Sequence, residues 1–212
     1  MDNVEGGNRP YHHGDLRHAL LQAAEEELKE KGIEGFTLRG CAKRAGVSHA
    51  APAHHFRDAD ALLTALAAVA YARLTAAMAA RSAKAKEDAA DQLVAIGLGY
   101  IDFATAEPAL FKLMFSSDKP DFSDPVLGEA ATAAYKALVE AVCAAKGSDD
   151  EDAAAPDIAA AWAMVHGIAE LVNSGQLRMF SAMGPGKRQE VYRTLLRRVL
   201  PHPGRGVSQP LQ

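Results

Sequence analysis

A chain of 212 residues is long enough to bury a sizeable core and to hold one or two domains, and its Ala-rich composition, with 6% aromatics, favours helix. Its formal net charge of −4 excludes a uniformly basic, indiscriminate binder of polyanions. Two cysteines, Cys41 and Cys143, exclude a disulfide framework and predict reduced thiols, while the polar start MDNVEGGNRP and the lack of a long apolar run predict a soluble, cytoplasmic protein with no membrane partner.

Residues 1–13 read as a flexible N-terminal arm in which only Arg9 is suited to touching a polyanion. Asp15 is placed to cap a helix running to about Lys31, with Leu16, Leu20, Ala23, Ala24 and Leu28 on one face and Lys29 and Lys31 in the last turn. Gly32 stops it. His12, His13 and Asp15 crowd one segment without a second cluster, so no metal site is expected.

The stretch Phe36 to Phe56, FTLRGCAKRAGVSHAAPAHHF, predicts two short helices joined by a tight turn. Thr37 is a capping hydroxyl for the first, and Leu38, Cys41, Ala42 and Ala45 recur at i, i+3, i+4 and i+7 on its inner face. Gly46 can take the left-handed conformation that ends it, Val47 plugs the turn, and Ser48 can cap the second helix, anchored by Phe56. On an acidic protein, residues 36–57 contain no Asp or Glu but do contain Arg39, Lys43, Arg44 and Arg57. A cationic helical hairpin of this kind suits phosphate attraction.

Asp58 is the predicted cap of a long helix carrying Leu62, Leu63, Leu66, Val69 and Leu74, a lever between this unit and the C-terminal two-thirds of the chain. Arg81 to Asp91 marks a break. Leu93, Ile96, Tyr100 and Phe103 form the next apolar stripe, and Pro108 opens a helix bearing Leu110, Phe111, Met114 and Phe115. Lys119 to Asp124 reads as a loop, after which Ser123 is the expected cap of an Ala-rich helix ending near Lys146 and Gly147. Ser148 to Asp152 reads as an acidic loop, Pro156 as the start of the helix bearing Trp162 and His166, and Pro185-Gly186 as the lead-in to the last helix. Residues 201–212 read as a flexible tail. The fold class is all-α with about nine helices and no strand.

TLRGCAKRAGVS followed by a short segment ending in His-His-Phe resembles the DNA-binding signature of the TetR (tetracycline-repressor) family. The lead-in Tyr11-His-His-Gly-Asp-Leu-Arg17 and the later Trp162-Ala-Met-Val-His-Gly167 resemble a subgroup of it. The specific match covers roughly Tyr11 to Leu63 and that second motif. The expected organisation is a three-helix helix-turn-helix DNA-binding domain over residues 14–60 and a larger helical effector-binding and dimerisation domain over 61–200. Helix geometry in a major groove puts Ser48, His49, Ala50, Ala51 and His54 toward base edges, with Val47 in the turn, and Thr37, Arg39, Lys43, Arg44 and His55 toward the backbone. The resemblance implies the same division. Where the family commonly carries a Tyr and a Lys for phosphate contact, this chain has Ala53 and Ala59, and Pro52 sits inside the recognition segment. Each lost phosphate contact flattens the salt dependence of binding by roughly 0.9. His49, His54 and His55 read either as neutral donors or as groups that add charge in acid.

In the larger domain Phe103, Phe111, Met114, Phe115, Phe122, Tyr135, Trp162, His166 and Met179 are the candidates to line an apolar cavity, the alternative being a plain core. Trp162 and His166, four residues apart, share a helical face. Small residues Ala159, Ala160, Ala163 and Gly167, with Val191, Leu195 and Val199 of the last helix, form the expected dimer seam, and the resemblance implies a two-fold four-helix contact there. The implied partners are double-stranded operator DNA, pseudo-palindromic to match a homodimer, and an unidentified small-molecule effector; no cofactor is implied. No Ser-His-Asp order, HExxH spacing or Gly-rich phosphate loop supports an enzyme. A helical protein-binding adaptor without operator binding is the alternative reading.

Overall fold

The computed structural model describes residues 13–199. The expected arm with Arg9, apart from the backbone of His13, and the expected tail 201–212 lie outside the described residues. Among the described residues nine α-helices follow one another: α1 (His13–Lys31), α2 (Leu38–Arg44), α3 (Ala59–Ser82), α4 (Ala89–Ala106), α5 (Pro108–Phe115), α6 (Pro125–Lys146), α7 (Glu151–Asn173), α8 (Arg178–Ser181) and α9 (Pro185–Val199). A single 3-10 turn, Ala51–His54, lies between α2 and α3, and no strand occurs among the described residues.

The helix ends follow from capping chemistry. Asp58 accepts the Ala61 N–H at 2.8 Å and starts α3. Three expected starts are displaced. His13 already lies in α1, so Asp15 is inside that helix rather than at its cap. The cap of α6 is Asp124, whose carboxylate accepts from both Val126 and Leu127 while Pro125 takes the first helical position; the Ser123 hydroxyl donates instead to Asp121. The α7 helix starts at Glu151, capped by Asp150, so Pro156 sits inside it and the acidic loop is partly the first turn of that helix. Acidic side chains there complement the positive end of the helix dipole, and Pro156 forgoes one N–H bond. Helix α8, a single turn, has no counterpart in the periodicity; its Phe180 is buried 5.6 Å from Tyr192 of α9, edge to face.

Helix α3 is the axis of the molecule. It packs on α1, α4, α5 and α6, and its residues from Leu62 to Met78 run through one continuous core. It also contains an 18-residue window of mean hydropathy 1.6, so one run does reach the length of a membrane span, against expectation. Fifty-six per cent of that window is buried by the other helices. Its apolarity on all sides is that of a helix surrounded by protein. The crossing of α3 and α4 is closest at Gly99, where an added Cβ would sit 2.6 Å from the Ala77 carbonyl oxygen and the Met78 Cα.

Candidate nucleic-acid interface and effector cavity

The hairpin is built as its turn chemistry predicts up to Val47. Thr37 accepts the Gly40 N–H at 3.0 Å, and Gly46 has φ +68°. The Val47 N–H then bonds the Ala42 carbonyl at 3.0 Å and the Gly46 N–H the Lys43 carbonyl at 3.2 Å, closing α2. Beyond it the expected second α-helix is one 3-10 turn, and Ser48 caps nothing. Pro52 is the cause. Lacking an N–H, it leaves the segment to close with short-range bonds, Ala51 N–H to Ser48 O at 3.0 Å and Ala53 N–H to Ala50 O at 3.2 Å. Pro52 and Phe56 face the core, and the Arg17 guanidinium lies 5.4 Å over the Phe56 ring.

Ser48, His49, Ala50 and His54 are all exposed, with Val47, Ala51 and His55 half-buried beside them. The cations divide into two kinds. Arg39 and Lys43 are exposed and make no ion pair among the described residues. Arg44, expected on the phosphate side, is claimed by α1: its Nε donates to Glu27 at 2.5 Å and a terminal nitrogen to Glu30. The Glu30 carboxyl is held down to about 2, first by Lys31 and then by Arg44. Glu27 is 5% exposed and its carboxylate fills the space over Gly40, where a Cβ would stand 2.0 Å from Oε1. Arg44 therefore fastens α2 to α1. Arg57 pairs with Asp58 at 2.7 Å. The sequence counts four cations, whereas the fold leaves Arg39 and Lys43 to act outward, with Thr37 exposed beside them.

The larger part of the chain forms a partly open cavity of about 360 Å³ between α3, α4, α5, α6 and α7, with Phe122 of the loop before α6 also in its lining. Of the nine side chains expected around it, Phe115, Phe122, Tyr135 and Trp162 line it. His166 stands behind the wall, its Nδ1 2.8 Å from the Tyr100 hydroxyl. Phe103 of α4 is plain core, as are Phe111 and Met114, because α5 turns that face into the junction with α3 and α4. Met179 is 66% exposed on α8, away from the cavity. Tyr71, Leu74, Met78 and Tyr100 also line it; the first three belong to α3, the helix that starts directly after the DNA-reading segment. Burial pushes the Tyr71 phenol up to about 12 and the Tyr100 phenol higher still, so both are neutral hydroxyls at neutral pH.

The loop over the cavity is tied to α3. The Asp121 N–H donates to the Thr64 hydroxyl at 3.0 Å, and that hydroxyl donates to the Asp60 carbonyl at 2.8 Å. Phe122, next in sequence, meets the Tyr71 ring at 6.2 Å. One loop thus touches both the cavity wall and the first turns of α3.

On the far side, Ala159, Ala160 and Ala163 are exposed, and an added Cβ at Gly167 would meet nothing within 4 Å. Val191 and Leu195 are half-buried against the core, and the Val199 side chain lies outside the described residues.

An exposed cationic hairpin joined by a shared helix to an apolar cavity defines a helical DNA-binding regulator. Residues 20–66 match the family model described as bacterial regulatory proteins of the tetR family, and residues 93–199 match that of the tetracyclin repressor-like C-terminal domain. The HTH-type transcriptional regulator BetI of Burkholderia cenocepacia (strain HI2424) is 28% identical over 172 residues, 81% of this chain and 86% of that protein. A protein of unknown function from Rhodococcus sp. RHA1 is 34% identical, with a TM-score of 0.75 over 92% of this chain and all of that one. A TetR family transcription regulator from Marinobacter aquaeolei VT8 shares the fold, with a TM-score of 0.65 at 17% identity over 87% of this chain and 94% of that one. The chain belongs to the TetR family of transcriptional regulators, and its DNA-binding unit is the helix-turn-helix at the N-terminal end.

Proposed function

We propose that this protein is a cytoplasmic, ligand-responsive repressor that binds a pseudo-palindromic operator as a homodimer and catalyses no reaction. Residues 14–60 read the DNA, with Arg39, Lys43 and Thr37 on phosphates and Ser48, His49, Ala50, Ala51 and His54 toward base edges. Residues 61–200 hold the effector and the dimer contact, the latter over the small-residue face of α7 and its neighbour α9. The observation that carries the reading is the sharing of α3: it follows the DNA-reading segment directly and walls the cavity with Tyr71, Leu74 and Met78. A ligand that displaces Phe122 would pull on Asp121 and so on Thr64, shifting α3 and the spacing of the two DNA-reading units, a coupling of about 1–3 kcal/mol.

The test is fluorescence anisotropy on DNA from upstream of the protein's own gene, against scrambled DNA, across a salt series. Sequence-selective binding that falls steeply with salt supports the reading. Salt-insensitive behaviour toward both DNAs favours a protein-binding adaptor.

A further inference from the structure

The cavity walls carry no Asp, Glu, Lys, Arg or His. A carboxylate, phosphate or ammonium entering it would shed its water and meet no opposite charge, which a buried ion does not tolerate. Among the wall rings, Tyr71 meets Phe115 at 5.7 Å and 68°, and Phe122 at 6.2 Å and 78°, so these three pack edge to face on one another.

Beside the exposed Thr132 and Tyr135, two buried hydroxyls lie in this apolar space. Tyr71 is 7% exposed, lines the cavity, and its hydroxyl has no hydrogen-bond partner among the described residues. Tyr100 is 6% exposed, and its hydroxyl is paired with His166 Nδ1. His166 Nε2 faces the Glu170 carboxylate at 4.0 Å. That placement favours the tautomer with the proton on Nε2, making Nδ1 the acceptor and Tyr100 its donor. The Tyr100 oxygen has the Trp162 side chain as one hydrogen-bond neighbour and keeps its second lone pair for a donor, and the Tyr71 hydroxyl keeps its proton for an acceptor. The Tyr71 oxygen is not sealed from its surroundings, so its unpaired proton is open to a molecule in the cavity.

Resting on the effector-binding reading above, we infer that the cavity takes an uncharged, largely apolar molecule bearing one hydroxyl group, which donates to Tyr100 and accepts from Tyr71. His166 is a positioning residue that fixes the Tyr100 proton. An aliphatic alcohol has this chemistry; the matching carboxylate and quaternary ammonium do not.

The chain has one tryptophan, Trp162, and it lines the cavity, so its emission reads occupancy directly and without DNA. The probes are 1-decanol, decanoate and decyltrimethylammonium, titrated below their aggregation limits into the full chain. The expected result is saturable binding of 1-decanol, with at least tenfold weaker binding of both ions. Tyr71→Phe and Tyr100→Phe, which keep the ring packing, are each expected to weaken 1-decanol about five- to tenfold. Equal or tighter binding of either ion overturns the inference, as does unchanged decanol affinity in both variants or no saturable response of Trp162. Operator binding is measured separately by anisotropy on the unliganded protein. Loss there would break the regulator reading while leaving the ligand chemistry standing, and failure of the alcohol would do the reverse.

Discussion

The hairpin and the cavity solve opposite problems. The hairpin presents small and polar side chains outward from a short-range scaffold, and nearly every bond that shapes it lies within five residues. Its long-range fastenings include Arg44 to Glu27 and Glu30 and Arg17 over the Phe56 ring. The cavity is assembled from five helices and a loop spread over residues 71 to 165, and no two adjacent turns suffice to make it. The difference is between a surface set by local conformation and a space set by how closely helices approach.

Breaking the second kind should have the largest effect. Gly99→Ala puts a methyl group against the α3 backbone, which cannot retreat as a side-chain tip can. The expected loss is about 3 kcal/mol, or roughly 6–12 °C in Tm, read by thermal denaturation. Gly97→Ala is the sharper control: its Cβ would meet only the side chains of Leu196 at 3.1 Å and Val165 at 3.2 Å, so about 1 kcal/mol is expected.

On the hairpin side, the division of cations gives the next effect. Arg39→Ala and Lys43→Ala are each expected to lower the magnitude of the log K versus log salt slope by about 0.9 per protomer, with folding stability unchanged. Arg57→Ala, whose guanidinium is already paired with Asp58, is expected to change the slope by less than half as much. Equal slopes for all three variants would erase the distinction drawn from the ion pairs.

Thr64→Val tests the link between the regions. The valine keeps the shape but breaks the bond from Asp121, so ligand and operator affinities measured singly should stay within about twofold, while their mutual effect falls by about 1 kcal/mol. Smaller again, Asp124→Ala removes the double cap of α6 and should cost about 1 kcal/mol in chemical denaturation. The smallest expected signal concerns Cys41. Burial pushes its thiol up to about 12, so the folded chain should resist iodoacetamide at neutral pH and react once unfolded. A thiol whose folded value lies above its unfolded one adds stability that is present below about pH 8.5 and is lost as pH rises toward 12.

Much of the helix-turn-helix was legible because its signals are local: the Thr37 cap, the Gly46 stop and the absence of acidic residues from 36 to 57 all sit in one stretch. The 3-10 turn was not foreseen, although Pro52 carried its cause in plain view. For the cavity, aromatic residues flagged Phe115, Phe122, Tyr135 and Trp162, but the same signal also picked Phe103, Phe111 and Met114, which are core. Tyr71, Tyr100 and the Ala131–Ala134 segment were missed, since an apolar side chain looks the same in sequence whether it faces a void or a neighbour. Arg44 was assigned outward for the analogous reason: its charge is visible, but the carboxylates of α1 that claim it lie 14 and 17 residues away.

By itself the sequence determined the all-α class, the position and sign of the DNA-reading unit and most helix ends, because capping, turn geometry and charge act between residues a few positions apart. Only the tertiary structure decided which cations remain available, which aromatic rings border empty space and which hydroxyls lack a partner. Those depend on the approach of α3, α4, α6 and α7, set by packing at contacts such as Gly99 against Ala77 and Met78, which no local pattern encodes.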